Sequence, residues 1–172
     1  SLFEAKKIVN ICKKNNIKLF VNYFRISDPS TQMLKKIFFN KKNISGTIFY
    51  SRGFFNNSSH FFNLLEYIAG DFKSGKIINK VKRYKKNDVS CNFYVKFDKA
   101  NILFICKDDK FDQFKIDFYY GNSSIKYLNN GKKIFRISNK ISKKVIKNFS
   151  YKYQMNVYDE LIKYILKKKF YL

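Results

Sequence analysis

The chain holds one histidine among 172 residues, in the stretch SRGFFNNSSHFFNLLEYIAGD at 51–71. An imidazole is the side chain best suited to moving protons near neutral pH, because its unperturbed pKa lies there. His60 follows a short polar run and opens an apolar one, so it stands at the start of a helix. Other reactive groups are sparse. Cys12, Cys91 and Cys106 are odd in number, widely spaced and lack any CxxC pair, and one histidine cannot complete a Cys/His zinc set. They read as reduced core residues, and no metal site is expected. The six glycines never form G-x-G-x-x-G. Read on its own, His60 is either a proton-handling group or a polar residue filling a crevice at a helix start.

The elements that must hold such a residue can be read from periodicity. Phe3, Ile8, Ile11 and Cys12 recur at near-helical spacing over 2–15, with Glu4 early and lysines late. IKLFVNYF at 17–24 is a nearly continuous apolar run and is expected to be a buried strand of the parallel kind. Asp28-Pro29 starts a helix through STQMLKKIFF, and GTIFYSR at 46–52 is a further strand. Asn57, Ser58 or Ser59 is the expected N-cap of the His60 helix. Its buried face is Phe61, Leu64, Leu65 and Ile68, and Gly70 is its stop.

Beyond about residue 76 the period becomes two. Cys91, Phe93, Val95 and Phe97 alternate with Asn92, Tyr94, Lys96 and Asp98. Phe114, Ile116 and Phe118 alternate with Lys115, Asp117 and Tyr119. Strands are expected at roughly 77–84, 90–97, 101–107, 112–120, 124–128 and 133–138, with a hairpin turn at Asn130-Gly131. YQMNVYDELIKYILKKK closes the chain as an amphipathic helix. The order predicts an α+β fold: an open-faced, mostly antiparallel sheet with helices on one face. The other face, rich in Tyr, Lys and Asp, is left for solvent or a partner subunit.

Composition bounds the classes. With 45% hydrophobic and 19% aromatic residues the chain can build a core, which argues against disorder. No apolar run approaches a bilayer span, and the N-terminus lacks a signal-peptide pattern, so no membrane partner and a cytoplasmic location are expected. The net charge of +24 invites a nucleic-acid reading. That reading is disfavoured. Only Arg25, Arg52, Arg83 and Arg136 are arginines, the lysines are spread over every segment, and Lys, Asn, Ile, Phe and Tyr are inflated together, as in an AT-rich coding sequence. Even KVKRYKK at 80–86 reads as a solvated strand or loop face.

NYFRISDP (22–29), the 46–71 stretch from GTIFYSRG to EYIAGD, FKIDFYYGNSSIKYLNNGK (114–132) and NVYDELIKYI (156–165) stand in an order and spacing that resemble the glucose–fructose oxidoreductase/inositol dehydrogenase (Gfo/Idh/MocA) family. The resemblance spans nearly the whole chain. It implies the C-terminal portion of an NAD(P)-dependent enzyme moving a hydride between a nicotinamide cofactor and a sugar, sugar-nucleotide or polyol hydroxyl. Residues 1–24 would then be the terminal helix and strand of a Rossmann domain otherwise absent. Residues 25–172 would be the substrate-binding and oligomerisation domain, a homo-oligomer forming through the open sheet face. NAD or NADP would be bound mainly by the absent domain, whose Glu-Lys-Pro segment carries the family's active-site lysine, so the fragment alone would be inactive.

In the family a histidine at this helix start acts with that lysine as general acid/base, which the resemblance carries to His60. Many relatives place Asp four residues earlier, where this chain has Asn56. An amide can hydrogen-bond the ring or a substrate hydroxyl but cannot stabilise an imidazolium by charge. Asn56, Arg25 and Arg52 are the implied substrate-binding residues, and Tyr23 and Arg25 the implied cofactor contacts. The alternatives are a non-catalytic interaction module or decayed pseudoenzyme, and a lysine-rich nucleic-acid-binding domain.

Overall fold

The computed structural model describes residues 2–107, 114–138, 141–148 and 154–167. Among the described residues four α-helices occur: α1 (Leu2–Lys14), α2 (Pro29–Phe38), α3 (Ser59–Ala69) and α4 (Met155–Lys167). The described strands, eight in number, form one sheet: β1 (Ile44–Tyr50), β2 (Phe72–Lys85), β3 (Asp88–Phe97), β4 (Ala100–Cys106), β5 (Lys115–Tyr120), β6 (Ser123–Leu128), β7 (Lys133–Ser138) and β8 (Ile141–Asn148). The order across it is β2-β3-β4-β1-β5-β6-β7-β8. All neighbours run antiparallel except β1 and β4. The fold is therefore the expected α+β, open-faced and mostly antiparallel, with β1 inserted at its centre and β8 added at one edge.

One face is packed. Phe93, Val95, Ile102, Phe104, Ile48, Ile116, Phe118, Ile125 and Tyr127 point into a core closed by Leu34 and Phe38 of α2 and by Phe61, Leu64, Leu65 and Ile68 of α3. These are the inward positions that the two-residue and helical periods select. The 112–113 part of the strand expected at 112–120 lies outside the described residues.

The register defines the open face. One row crosses Lys76, Tyr94, Leu103, Thr47, Asp117, Lys126 and Phe135. The next carries Lys96, Asn101, Ser45, Tyr119, Ser124 and Ile137. Asp117 is only 6% exposed although it lies on this face, because Lys115 at 2.8 Å and Lys126 at 4.0 Å flank its carboxylate. At the centre, Gly46 lets β1 and β5 approach, since a Cβ there would lie 2.6 Å from the Asp117 carbonyl.

Three local expectations need correction. Residues 17–23 form no strand and are mostly exposed, Val21 at 60%. A strand exists only through its neighbours, and no described strand pairs with this one. Ser58 is the N-cap of α3, one of the three expected positions, but its side chain makes no capping hydrogen bond, because a π-helical turn at Phe54–Ser58 runs directly into the helix. The Asn130-Gly131 turn is longer than a two-residue hairpin, because Leu128 pairs with Lys133 and a 3-10 turn over Asn129–Gly131 joins them. Asn129, Asn130 and Gly131 all take positive φ there. α1 forms where expected but buries none of its residues.

Candidate active site around His60

The turn before α3 is built by backbone constraint and one distant carboxylate. β1 ends at Tyr50; Arg52 (φ 64°) and Gly53 (φ 84°) then reverse the chain in the left-handed region, where a side chain is disfavoured. A Cβ on Gly53 would also strike the Asp88 carboxylate and the Tyr84 ring. Asp88, at the start of β3, accepts from the Phe55 N–H through Oδ1 and the Asn56 N–H through Oδ2, both at 2.9 Å. Those are amides that a helix start leaves without intrahelical partners. Asn57 Nδ2 donates to the Ser51 carbonyl at 2.8 Å and Ser59 Oγ to the Phe55 carbonyl at 2.8 Å. His60 thus leaves a turn pinned from both sides.

The other wall comes from residues 23–27. Asp28 accepts from the Ser30 N–H at 3.0 Å and caps α2 as expected. Gln32 Nε2 donates to the Ile26 carbonyl at 2.7 Å, while its Oε1 accepts from the Tyr67 hydroxyl of α3 at 2.6 Å. Ser27 Oγ donates to Glu160 of α4 at 2.9 Å. Three helices therefore fix this turn, which holds Tyr23 and Phe24 against His60. The ring centroids lie 5.4 Å from Tyr23 in an edge-on arrangement and 5.0 Å from Phe24.

His60 is half-buried and its Nδ1 has no hydrogen-bond partner. Burial, and secondly the positive charge of Arg25, hold the imidazole below the usual histidine range, so the neutral ring is favoured. A neutral imidazole can accept a proton. Next to it a depression of about 220 Å³ is lined by Tyr23, Phe54, Ser59, Phe62, Asn63 and Glu66.

The other sequence-derived candidates are not all brought together. Tyr23 lies against His60. Asn56 is exposed and its amide donates to the Arg52 carbonyl at 3.2 Å. Arg52 is exposed, at the reversal. Arg25 is 2% exposed, enclosed by Phe61 (4.3 Å), Phe114 (4.9 Å) and Phe24 (5.1 Å). Sequence reading missed Asp88, distant in sequence on a strand, and also Ser59, Asn63 and Glu66. The last three share the His60 helix at three- and four-residue spacing, which was a readable signal.

Among the described residues no cluster of His, Cys, Asp or Glu could hold a metal ion, and no helix is long and apolar enough to cross a membrane. The amides that open the α3 turn are not open to a pyrophosphate, because they already hold the Asp88 carboxylate.

Neither a family model nor a curated protein matches the sequence. Solved structures match closely in fold. A protein of Desulfitobacterium hafniense regarded as an NADPH-dependent oxidoreductase superposes at TM-score 0.78 and 13% identity, over 98% of this chain and 61% of its own. A super-repressor mutant of Gal80p from Saccharomyces cerevisiae gives 0.76 and 12%, over 99% and 58%. UDP-N-acetylglucosamine 3-dehydrogenase GnnA from Acidithiobacillus ferrooxidans gives 0.72 and 9%, over 98% and 59%. The chain spans about three fifths of the length of these structures.

The class is thus an α+β domain of the kind found in larger dehydrogenase-like proteins. Its open sheet and covering helices are, more narrowly, the fold of the C-terminal domain of Gfo/Idh/MocA-type oxidoreductases. That fold serves a dehydrogenase and a repressor alike, so chemistry has to be argued from the site.

Proposed function

We propose that this chain is the substrate-binding and subunit-contacting part of an NAD(P)-dependent oxidoreductase acting on a hydroxyl of a sugar, sugar nucleotide or polyol. The observation that carries the reading is His60: a half-buried imidazole, biased towards its neutral form and packed against two aromatic rings beside a concave surface. In this reading His60 takes the hydroxyl proton, while Ser59, Asn63 and Glu66 offer polar groups to neighbouring hydroxyls. In this reading the cofactor is held mainly by a further domain. The nicotinamide group, which supplies the hydride chemistry when bound, would come with a domain covering the exposed apolar residues of α1 and 17–21. The open face, with half-exposed Phe49, Leu103 and Ile105 beside Tyr94 and Tyr119, would meet a second subunit.

The test is turnover of the gene product that contains this chain, read from nicotinamide absorbance over a panel of sugars and polyols. His60→Ala is expected to lower kcat by about 100-fold or more with cofactor affinity nearly unchanged. Equal loss of both would make His60 a structural residue. A second reading, a non-catalytic interaction domain, is favoured by one observation: the exposed Asn56 amide is turned to its own backbone rather than to the imidazole. No turnover with bound cofactor would decide for it.

A further inference from the structure

His60 and Arg25 both lie against one ring. Phe24 lies 5.0 Å from the imidazole and 5.1 Å from the Arg25 guanidinium, centroid to centroid and centroid to Cζ respectively. A second contact runs through Phe61, the residue after His60, whose ring is 4.3 Å from the same guanidinium. Phe114 closes the cage at 4.9 Å. Within it, Nε and Nη1 of Arg25 are buried with no hydrogen-bond partner. No carboxylate pairs with it among the described residues. Arginine does not shed its proton to escape such a setting, so its field falls on neighbouring groups at reduced dielectric.

The titratable and charged groups around His60 are few. Tyr23 presents an edge from the preceding turn, and Glu66 lines the adjacent depression from the solvent side of α3. Asp88, from β3, is engaged by the Phe55 and Asn56 amides. Tyr127 and Asp28 lie on the Arg25 side. Burial seals the guanidinium from any ligand in the depression, which argues against the direct substrate or cofactor contact that resemblance implied.

We propose that Arg25 is a positioning residue: a caged positive charge, packed on Phe24 and Phe61, that adds to burial in keeping His60 as the neutral imidazole. The use of that base rests on the oxidoreductase reading above; the coupling between the two residues does not.

The experiment uses the chain as it is. His60 is the only histidine, so its ring proton signal in an NMR pH titration needs no assignment. The native midpoint is expected below that of the same chain in denaturing urea, and a native midpoint at or above it would overturn the proposal. Arg25→Met should move the native midpoint upward, and Arg25→Lys, which restores the charge, should bring it back towards wild type. An unchanged midpoint in Arg25→Met, or an equal rise in both variants, sinks the idea. Should Arg25→Met not fold, Phe24→Ser at its half-buried position admits water between charge and ring. A partial rise is expected there, and none would count against the proposal. These readings need no turnover, so the coupling and the dehydrogenase reading can fail separately.

Discussion

Helices α1 and α3 are similar in length and both amphipathic, yet they end in opposite situations. Helix α3 buries Phe61, Leu64 and Leu65 completely, and Ile68 nearly so, against the sheet. Helix α1 leaves Leu2 and Phe3 about three quarters exposed, and Ile8 and Ile11 about half exposed. The pattern is the same but the partner is missing. Periodicity says which face of a helix wants cover; only tertiary structure says whether the chain supplies it. The exposed face continues through Ile17, Leu19, Phe20 and Val21, so it is an extended strip rather than scattered apolar residues.

The sharpest way to break this comparison is to truncate one side chain on each helix and unfold the variants in urea. Leu65→Ala is expected to cost about 2–5 kcal/mol, since it removes a fully buried side chain and leaves a cavity. Phe3→Ala should stay within about 0.5 kcal/mol of wild type. A comparable loss from Phe3→Ala would show that α1 is packed in solution, and the contrast would collapse.

A smaller effect is expected at the turn ahead of α3. Asp88→Ala removes the acceptor of two amides, and hydrogen bonds to a charged group contribute about 1.5–3 kcal/mol each at most. Water can reach part of the vacated site, so a loss of about 2 kcal/mol is expected. Amide exchange at Phe55 and Asn56 should rise with it. Exchange at Leu64 and Leu65, deeper in α3, should follow only global stability. Uniform acceleration along the helix would mean that Asp88 supports the fold in general rather than the turn that presents His60.

These contrasts show what the sequence could and could not disclose. The inward faces of β3, β4 and β5 were legible because side chains in a strand alternate strictly. The Asp28-Pro29 start of α2 and the Gly70 stop of α3 were legible because their signals are local, Gly70 taking a φ of 87°. The 17–24 run misled because a continuous apolar run reports burial, while the sheet needed to bury it is not among the described strands. The cap of α3 was legible in position, at Ser58, but not in chemistry: its side chain makes no capping bond, and the amides of the π-helical turn ahead of it are met by a tertiary carboxylate from Asp88. Of the site itself, His60 stood out by type and uniqueness. The burial of Arg25 did not, because it depends on Phe61 and Phe114, which converge only once the sheet forms.

The smallest expected effect is on pH dependence, and it separates the half-buried site from the exposed strip, which carries lysines but no histidine. In the folded chain the His60 imidazole titrates below its unfolded value, through burial first and the Arg25 charge second. Between the two midpoints the unfolded chain therefore binds more protons than the native one, and stability rises with pH across that window. The sign is fixed: the contribution is complete above the ordinary histidine range, declines as pH falls through it, and is lost below the native midpoint. Carboxylates that titrate further down, Asp98 with its pKa lowered by Lys73 among them, add their own acid destabilisation. The His60 part is isolated by comparison with His60→Gln, which has no proton to bind. The difference in urea-unfolding free energy between wild type and His60→Gln should shrink as pH is lowered from neutrality towards the native midpoint, then stay constant. A difference that is flat over the whole range would mean that the imidazole is as well solvated as in the unfolded chain, and that its packing against Tyr23 and Phe24 does not exist in solution.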